Sequence, residues 1–274
     1  MTARLIEPVL QGWAASPRRK PLVCAAWAER RATIEVRALQ HALSEAFAED
    51  LLRHRGPNDS VEAVYHSLPH HYGRRFKQEG FAPGLSSAVV GRGLDRLESA
   101  MLIRRVVPTS STAAPFVDRP RSARKLLPLD IGLALAQMGV PFQDVRSSNL
   151  DAMMEGRVAE MWAGVLMADD PQPLHFWVRE GSEGAAELDY LLPGGPIEVK
   201  AGRAGTLRSL HQYLRRSGRR AAWRLHVGLP AEDRHQVALD GDDLDYTLVS
   251  VPLYRAERVR DIQRAGPASR APSA

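Results

Sequence analysis

The stretch AELDYLLPGGPIEVKAG, Ala186 to Gly202, sets three carboxylates and a lysine on two short apolar runs that read as buried strands. Stripping water from a charge costs on the order of several kcal/mol unless the charge is paired or bound to an ion. Side chains two apart on a strand share a face, so Glu187 points with Asp189 and Glu198 with Lys200. A hairpin through Pro193-Gly194-Gly195 brings Asp189 beside the Glu198 and Lys200 pair. Converging carboxylates attract a hard divalent ion, magnesium or manganese, which takes oxygen ligands and keeps several waters. Glu160, on the preceding helix, is placed to join Asp189 and Glu198 as a third ligand. Lys200 beside that ion would orient the attacking water and stabilise charge on a phosphate, as in metal-assisted phosphodiester hydrolysis. Glu187 would complete or tune the site, and Gln212 on the following helix is a further candidate contact with site or substrate. The same residues also fit a plain structural role, Asp189 or Glu198 salt-bridged to Lys200 on a solvent-facing sheet edge.

The elements that must hold these residues follow from apolar periodicity. GRVAEMWAGVLMA is a long apolar helix that carries Glu160, LHFWVRE a strand, TLRSLHQYLRRSG an amphipathic helix ending at Gly218, and AWRLHVGL a strand. TLVSVPLYRAERV reads as a short edge segment and a closing turn. Upstream, VRALQHALSEAFAEDLLRHRG is helical and stops at Gly56-Pro57. Asn58-Asp59-Ser60 caps a second helix, and Ser86 or Ser87 a third, whose Val89, Val90, Leu94, Leu97 and Met101 share a face. Strand LIRRVV, a loop from Pro108 to Arg124 and a returning strand KLLPLD complete the order of a winged helix-turn-helix. The outward face of its recognition helix mixes Arg92 and Arg96 with Asp95 and Glu98, which suits packing between domains as well as base reading. His66, His70 and His71 straddle Pro69 without a carboxylate at ligand spacing and receive no metal role.

Composition sets the class. The 274 residues are 44% hydrophobic and 25% charged, a globular make-up. No apolar run approaches the roughly 20 residues of a membrane span and no signal peptide opens the chain, so a cytoplasmic protein is expected. Cys24 is the one cysteine, which excludes an internal disulfide and a cysteine zinc cage. A net charge of +5, carried by arginine clusters such as RRFK, RPRSARK and LRRSGRR, favours a polyanionic partner, DNA foremost, although solvated helix faces explain any single cluster equally well.

Asp189, followed nine positions on by a Glu-x-Lys, with an acidic helix before and a glutamine-bearing helix after, resembles the PD-(D/E)xK nuclease superfamily. A wider resemblance runs through EDLLRHRG, VYHSLPHHYGRRFK, GLDRLESAMLIRRV, KLLPLDIGLALA, GRVAEMWAGVLM, LHFWVRE, the hairpin, TLRSLHQYLRRSG and VSVPLY. In that order they look like the C-terminal region of bacterial and archaeal AAA-type ATPases that end in a domain of unknown function with a nuclease-like fold. The resemblance implies an α+β chain: a helical lid-like segment (1–56), a winged helix (57–128), a PD-(D/E)xK-like mixed sheet flanked by helices (129–262) and a disordered tail (263–274). It also implies that Glu160, Glu187, Asp189, Glu198 and Lys200 stand on the family's acidic and lysine positions. Those relatives carry a G-x-x-x-x-G-K-[ST] phosphate loop that this sequence lacks, VVGRGLDR being the nearest approach, so ATP hydrolysis is not expected from this chain alone. The expected function is a metal-dependent nuclease acting on DNA. The alternatives are a non-catalytic nucleic-acid or protein-binding module of an ATPase, an oligomer among them, and a subunit that takes its phosphate loop from a partner ATPase.

Overall fold

A computed structural model describes residues 30–53, 60–140, 152–168, 173–179, 185–201, 206–239 and 242–267. Cys24, Gly56-Pro57 and Asn58-Asp59 lie outside them. The chain forms two compact units, each drawn from two segments: 1–104 with 126–150, and 105–125 with 151–274. The ranges expected from the sequence were contiguous, and the two units interleave instead.

The first unit contains α1 (Arg30–Arg53), α2 (Val61–Ser67) with a 3-10 turn at Leu68–His70, β1 (Arg75–Phe76) and α3 (Ser87–Ser99). Strands β2 (Ile103–Thr109) and β3 (Arg124–Pro128) each divide between the units, and α4 (Ile131–Gln137) returns to the first. Ser86 accepts a hydrogen bond from Val89 N at the start of α3, and Asp130 one from Leu133 N at the start of α4. Ser60 occupies the cap position of α2 without a side-chain hydrogen bond. On α3, Val90, Gly93, Leu94 and Leu97 are buried. A Cβ on Gly93 would stand 2.8 Å from Val64 Cγ2, so the glycine is what lets α2 and α3 pack closely. Val89 is only half-buried, and Met101 falls beyond the helix end at φ 60, so the apolar face is narrower than its spacing suggests. A polar knot ties the helices: Gln137 Nε2 donates to Ser44 Oγ at 2.9 Å and to Tyr65 Oη at 2.8 Å, and Tyr72 Oη donates to Gln137 Oε1 at 3.1 Å. His71 stacks on Phe81 with centroids 3.9 Å apart, and its Nε2 lies 2.9 Å from the Phe81 carbonyl oxygen.

The second unit is a large mixed sheet flanked by helices. It adds α5 (Ala152–Met167), β4 (His175–Arg179), β5 (Ala186–Leu192), β6 (Gly195–Lys200), α6 (Arg208–Ser217), β7 (Ala221–His226), β8 (Ala231–Leu239), β9 (Asp242–Pro252), a 3-10 helix (Leu253–Arg258) and α7 (Val259–Ala265). Its strands run in the order β2-β4-β5-β6-β7-β9-β8. The β2/β4, β6/β7 and β7/β9 pairs are parallel, and β4/β5, β5/β6 and β8/β9 antiparallel. Trp177, Leu188, Leu191, Ala222, Tyr246 and Leu248 of the sheet bury against Leu210, Tyr213 and Leu214 of α6. That face of α6 recurs at helical spacing, and Gly218 at φ 67 ends the helix.

Two expectations need correction. The short edge segment is an 11-residue strand, β9, paired on both sides; the edge is β8, whose polar AEDRHQVAL hides it. Gln263, expected in the tail, lies on α7: its side chain is buried and donates to Gly195 O at 3.3 Å, covering the hairpin turn, while 268–274 lie outside the described residues. Among the described residues, no helix is long and apolar enough to cross a membrane.

Candidate functional site

The hairpin forms where the turn residues place it. Gly195 adopts φ 147, and a Cβ there would come 2.5 Å from Trp223 Cζ3, so no other residue fits without displacing that ring. Between the pairs Trp177/Leu188 and His175/Leu191, β5 holds one residue more than β4, so Asp189 and Tyr190 together oppose Phe176. This bulge keeps Leu188 and Leu191 in the α6-side core. It also lets Tyr190 join Glu187 on the side of Lys125, whose Nζ lies 4.8 Å from the Phe176 centroid and 5.9 Å from that of Tyr190.

Lys125, on β3, organises the cluster although no local motif marks it. Its side chain is 4% exposed, and Nζ lies 2.5 Å from Glu160 Oε1, 2.7 Å from Glu187 Oε1 and 3.5 Å from the Asp189 carbonyl oxygen. Tyr190 Oη donates to the Glu160 carbonyl oxygen at 2.7 Å and fixes α5 over the sheet. Beyond Tyr190/Ile197 the β5/β6 ladder gives way, and the Asp189 carboxylate takes the place of a backbone acceptor: Oδ2 receives the Val199 N–H at 2.7 Å. Glu198, 6% exposed, accepts from Lys200 Nζ at 2.6 Å through Oε1, while its buried Oε2 has no partner.

The structure thus brings Glu160, Glu187, Asp189, Glu198 and Lys200 together. Gln212 is engaged elsewhere, accepting from Arg179 Nη2 at 3.2 Å. Glu160, expected as a third metal ligand, is bonded to Lys125 instead. Among the described residues no group of three or more His, Cys, Asp or Glu side chains is arranged to hold a metal ion. Any ion here would rest on two carboxylates and water, the mode that magnesium favours.

Four carboxylates face two lysines. Burial pulls Lys125 down, but Glu160, Glu187 and Asp189 outweigh it and hold the ammonium above its usual range. Lys200 is raised in the same way, chiefly by Glu198 against burial. Burial pushes Glu160 up to about 7 against the pull of Lys125, and pushes Glu198 up to about 8, with Asp189 adding repulsion and Lys200 opposing it. Asp189 is also raised, burial outweighing Lys125 and the Val199 N–H. Glu160, Asp189 and Glu198 therefore each hold a proton more readily than an isolated carboxylate, and Glu198 Oε2 is a buried carboxylate oxygen without a hydrogen-bond partner.

Residues 21–144 match a family model described as a domain of unknown function, DUF8612, which covers less than half of the chain. Of the clustered residues only Lys125 falls inside that match. No curated protein and no solved structure matches the chain.

Proposed function

We propose that the cluster binds a divalent ion and hydrolyses phosphodiester bonds, with DNA the foremost substrate. The observation that carries the reading is Glu198: a buried carboxylate with one oxygen on Lys200, the other without a partner, and Asp189 beside it. An all-oxygen donor set suits magnesium or manganese, and Asp189 and Glu198 would hold the ion. A bound ion of this kind polarises a phosphate oxygen and lowers the pKa of its water. Lys200, held above its usual range and bonded to Glu198 Oε1, supplies a fixed positive charge for the phosphate and a donor that orients the attacking water. Lys125 neutralises Glu160 and Glu187, anchors α5 to β5 and so fixes where the Asp189 backbone lies. The order of helix α5, strands β4 to β6, helix α6 and strand β7 is also that of a PD-(D/E)xK core, which supports the same reading.

The winged-helix reading rests on the order α2, α3, β2, β3. The segment between β2 and β3, where a wing would be, is fastened within its own unit: Tyr213 Oη donates to Thr112 O at 2.9 Å, and His175 Nε2 lies 3.0 Å from Asp118 Oδ1. That favours a packing use of the motif over groove reading. A non-catalytic binding module is the second reading, favoured by Lys125 filling the space between two of the carboxylates.

Cleavage of single- and double-stranded DNA and RNA with magnesium or manganese tests the proposal. Asp189→Asn keeps an acceptor for the Val199 N–H, and Lys200→Met removes the charge and the hydrogen bond to Glu198 while keeping an unbranched apolar stem. Both variants should lose at least a hundredfold in rate, and parental rates in either would reject it.

A further inference from the structure

Lys200, His226 and Pro252 stand side by side across β6, β7 and β9, about 10 Å end to end at the usual strand spacing. The three strands are parallel, so their C-terminal ends lie at one edge of the sheet, the edge where ligands of open α/β sheets bind. Strand β7 runs out into an apolar tip, with Val227 61% and Leu229 85% exposed. The tip is held in place: His226 Nε2 lies 3.2 Å from Leu229 O, and a Cβ on Gly228 would meet His226 Cε1 at 2.5 Å. Strand β9 continues into the 3-10 helix, which packs on α5, the helix of Glu160, and on β7. That helix turns Ala256 inward and leaves Tyr254, 71% exposed, with Arg255, Glu257 and Arg258 outward.

An exposed aromatic ring, two exposed aliphatic side chains and two arginines at one sheet edge match what single-stranded nucleic acid offers: flat apolar bases on an anionic backbone. A duplex keeps its bases stacked inside and presents phosphates alone to such a surface. We propose that Tyr254, Leu229 and Val227 form a stacking platform for unpaired bases, with Arg255 and Arg258 on the phosphates. This assigns single-stranded nucleic acid to the neighbouring cluster as its substrate class, and to that extent rests on the phosphodiester reading.

The test is binding without divalent ions, in EDTA, of the full chain to a labelled dodecamer of thymidylate, to its abasic counterpart and to a duplex of equal length. Tyr254→Ala should weaken the thymidylate complex about tenfold or more and leave the abasic and duplex complexes unchanged. Tyr254→Trp should retain affinity, with its fluorescence quenched on binding. Replacing Arg255 and Arg258 with glutamine should lower the salt slope of thymidylate binding by about 0.7 per lost phosphate contact. Equal losses on all three ligands, or no loss with Tyr254→Ala, overturn the platform. Because no metal is present, the outcome is independent of whether the cluster cuts: a parent protein that binds in this pattern and never cleaves refutes only the hydrolysis.

Discussion

Replacing Lys125 with methionine keeps an unbranched apolar stem, one atom shorter, and removes the charge that three carboxylates share. Glu160 Oε1 at 2.5 Å and Glu187 Oε1 at 2.7 Å would lose a cation that is itself 4% exposed and lies beside the Phe176 and Tyr190 rings. Removing one partner of a buried pair costs roughly 3–5 kcal/mol, because an uncompensated charge stays behind. The loss must depend on pH. Glu160 already stands at about 7 with Lys125 present, and without it rises further. A carboxylate raised above its unfolded value contributes stability that is present below the unfolded pKa and is lost as pH rises through the folded one. Urea unfolding should therefore show Lys125→Met weaker than the parent by roughly 3–5 kcal/mol at pH 8 and by about 1 kcal/mol at pH 5.5, where Glu160 is neutral and its loss is chiefly that of a hydrogen bond. Adding Glu160→Gln and Glu187→Gln should recover most of the pH 8 loss. A loss under about 1 kcal/mol at pH 8, or equal losses at both pH values, would refute the compensation of these carboxylates by Lys125.

The same geometry sets three further outcomes. Parent stability in EDTA should fall as pH rises from 6 to 7.5, because Glu160, raised to about 7, and Glu198, raised to about 8, hold protons that the unfolded chain has released, each worth up to about 1.4 kcal/mol per pH unit; Glu198→Gln should lower that slope and leave the share of Glu160, as read by chemical denaturation. Gly93→Ala forces a Cβ to within 2.8 Å of Val64 Cγ2, so α2 and α3 must separate, and thermal unfolding should report a loss of about 1–3 kcal/mol. Gln212→Ala should leave metal binding as it is, since Gln212 bonds Arg179 and not the cluster.

The hairpin was legible because Pro193-Gly194-Gly195 breaks two apolar runs, and a Gly at φ 147 against Trp223 admits no other residue. Ser86 announced α3 through cap chemistry that local sequence carries, whereas Asp130, read as the end of a strand, turned out to cap α4. Lys125 was not legible: it stands 64 residues before Asp189, and KLLPLD gives no local sign that its lysine turns inward. A lysine opening an otherwise apolar strand was the available signal, since burial of such a residue requires an acidic partner elsewhere. The bulge at Asp189 and Tyr190 escaped for a related reason, because alternation read from one strand cannot show that its neighbour is one residue shorter. Strand β8 escaped because an edge needs only one buried side, and its charged residues look like a loop.

Whether Asp189 and Glu198 form a divalent-ion site is best measured by calorimetric titration of manganese into the chain at pH 7.5. The account predicts one ion per chain, protons released on binding as Glu198 ionises, and affinity at least tenfold weaker in both Glu198→Gln and Asp189→Asn. No binding heat, or isotherms of the two variants that overlay the parent's, would contradict it.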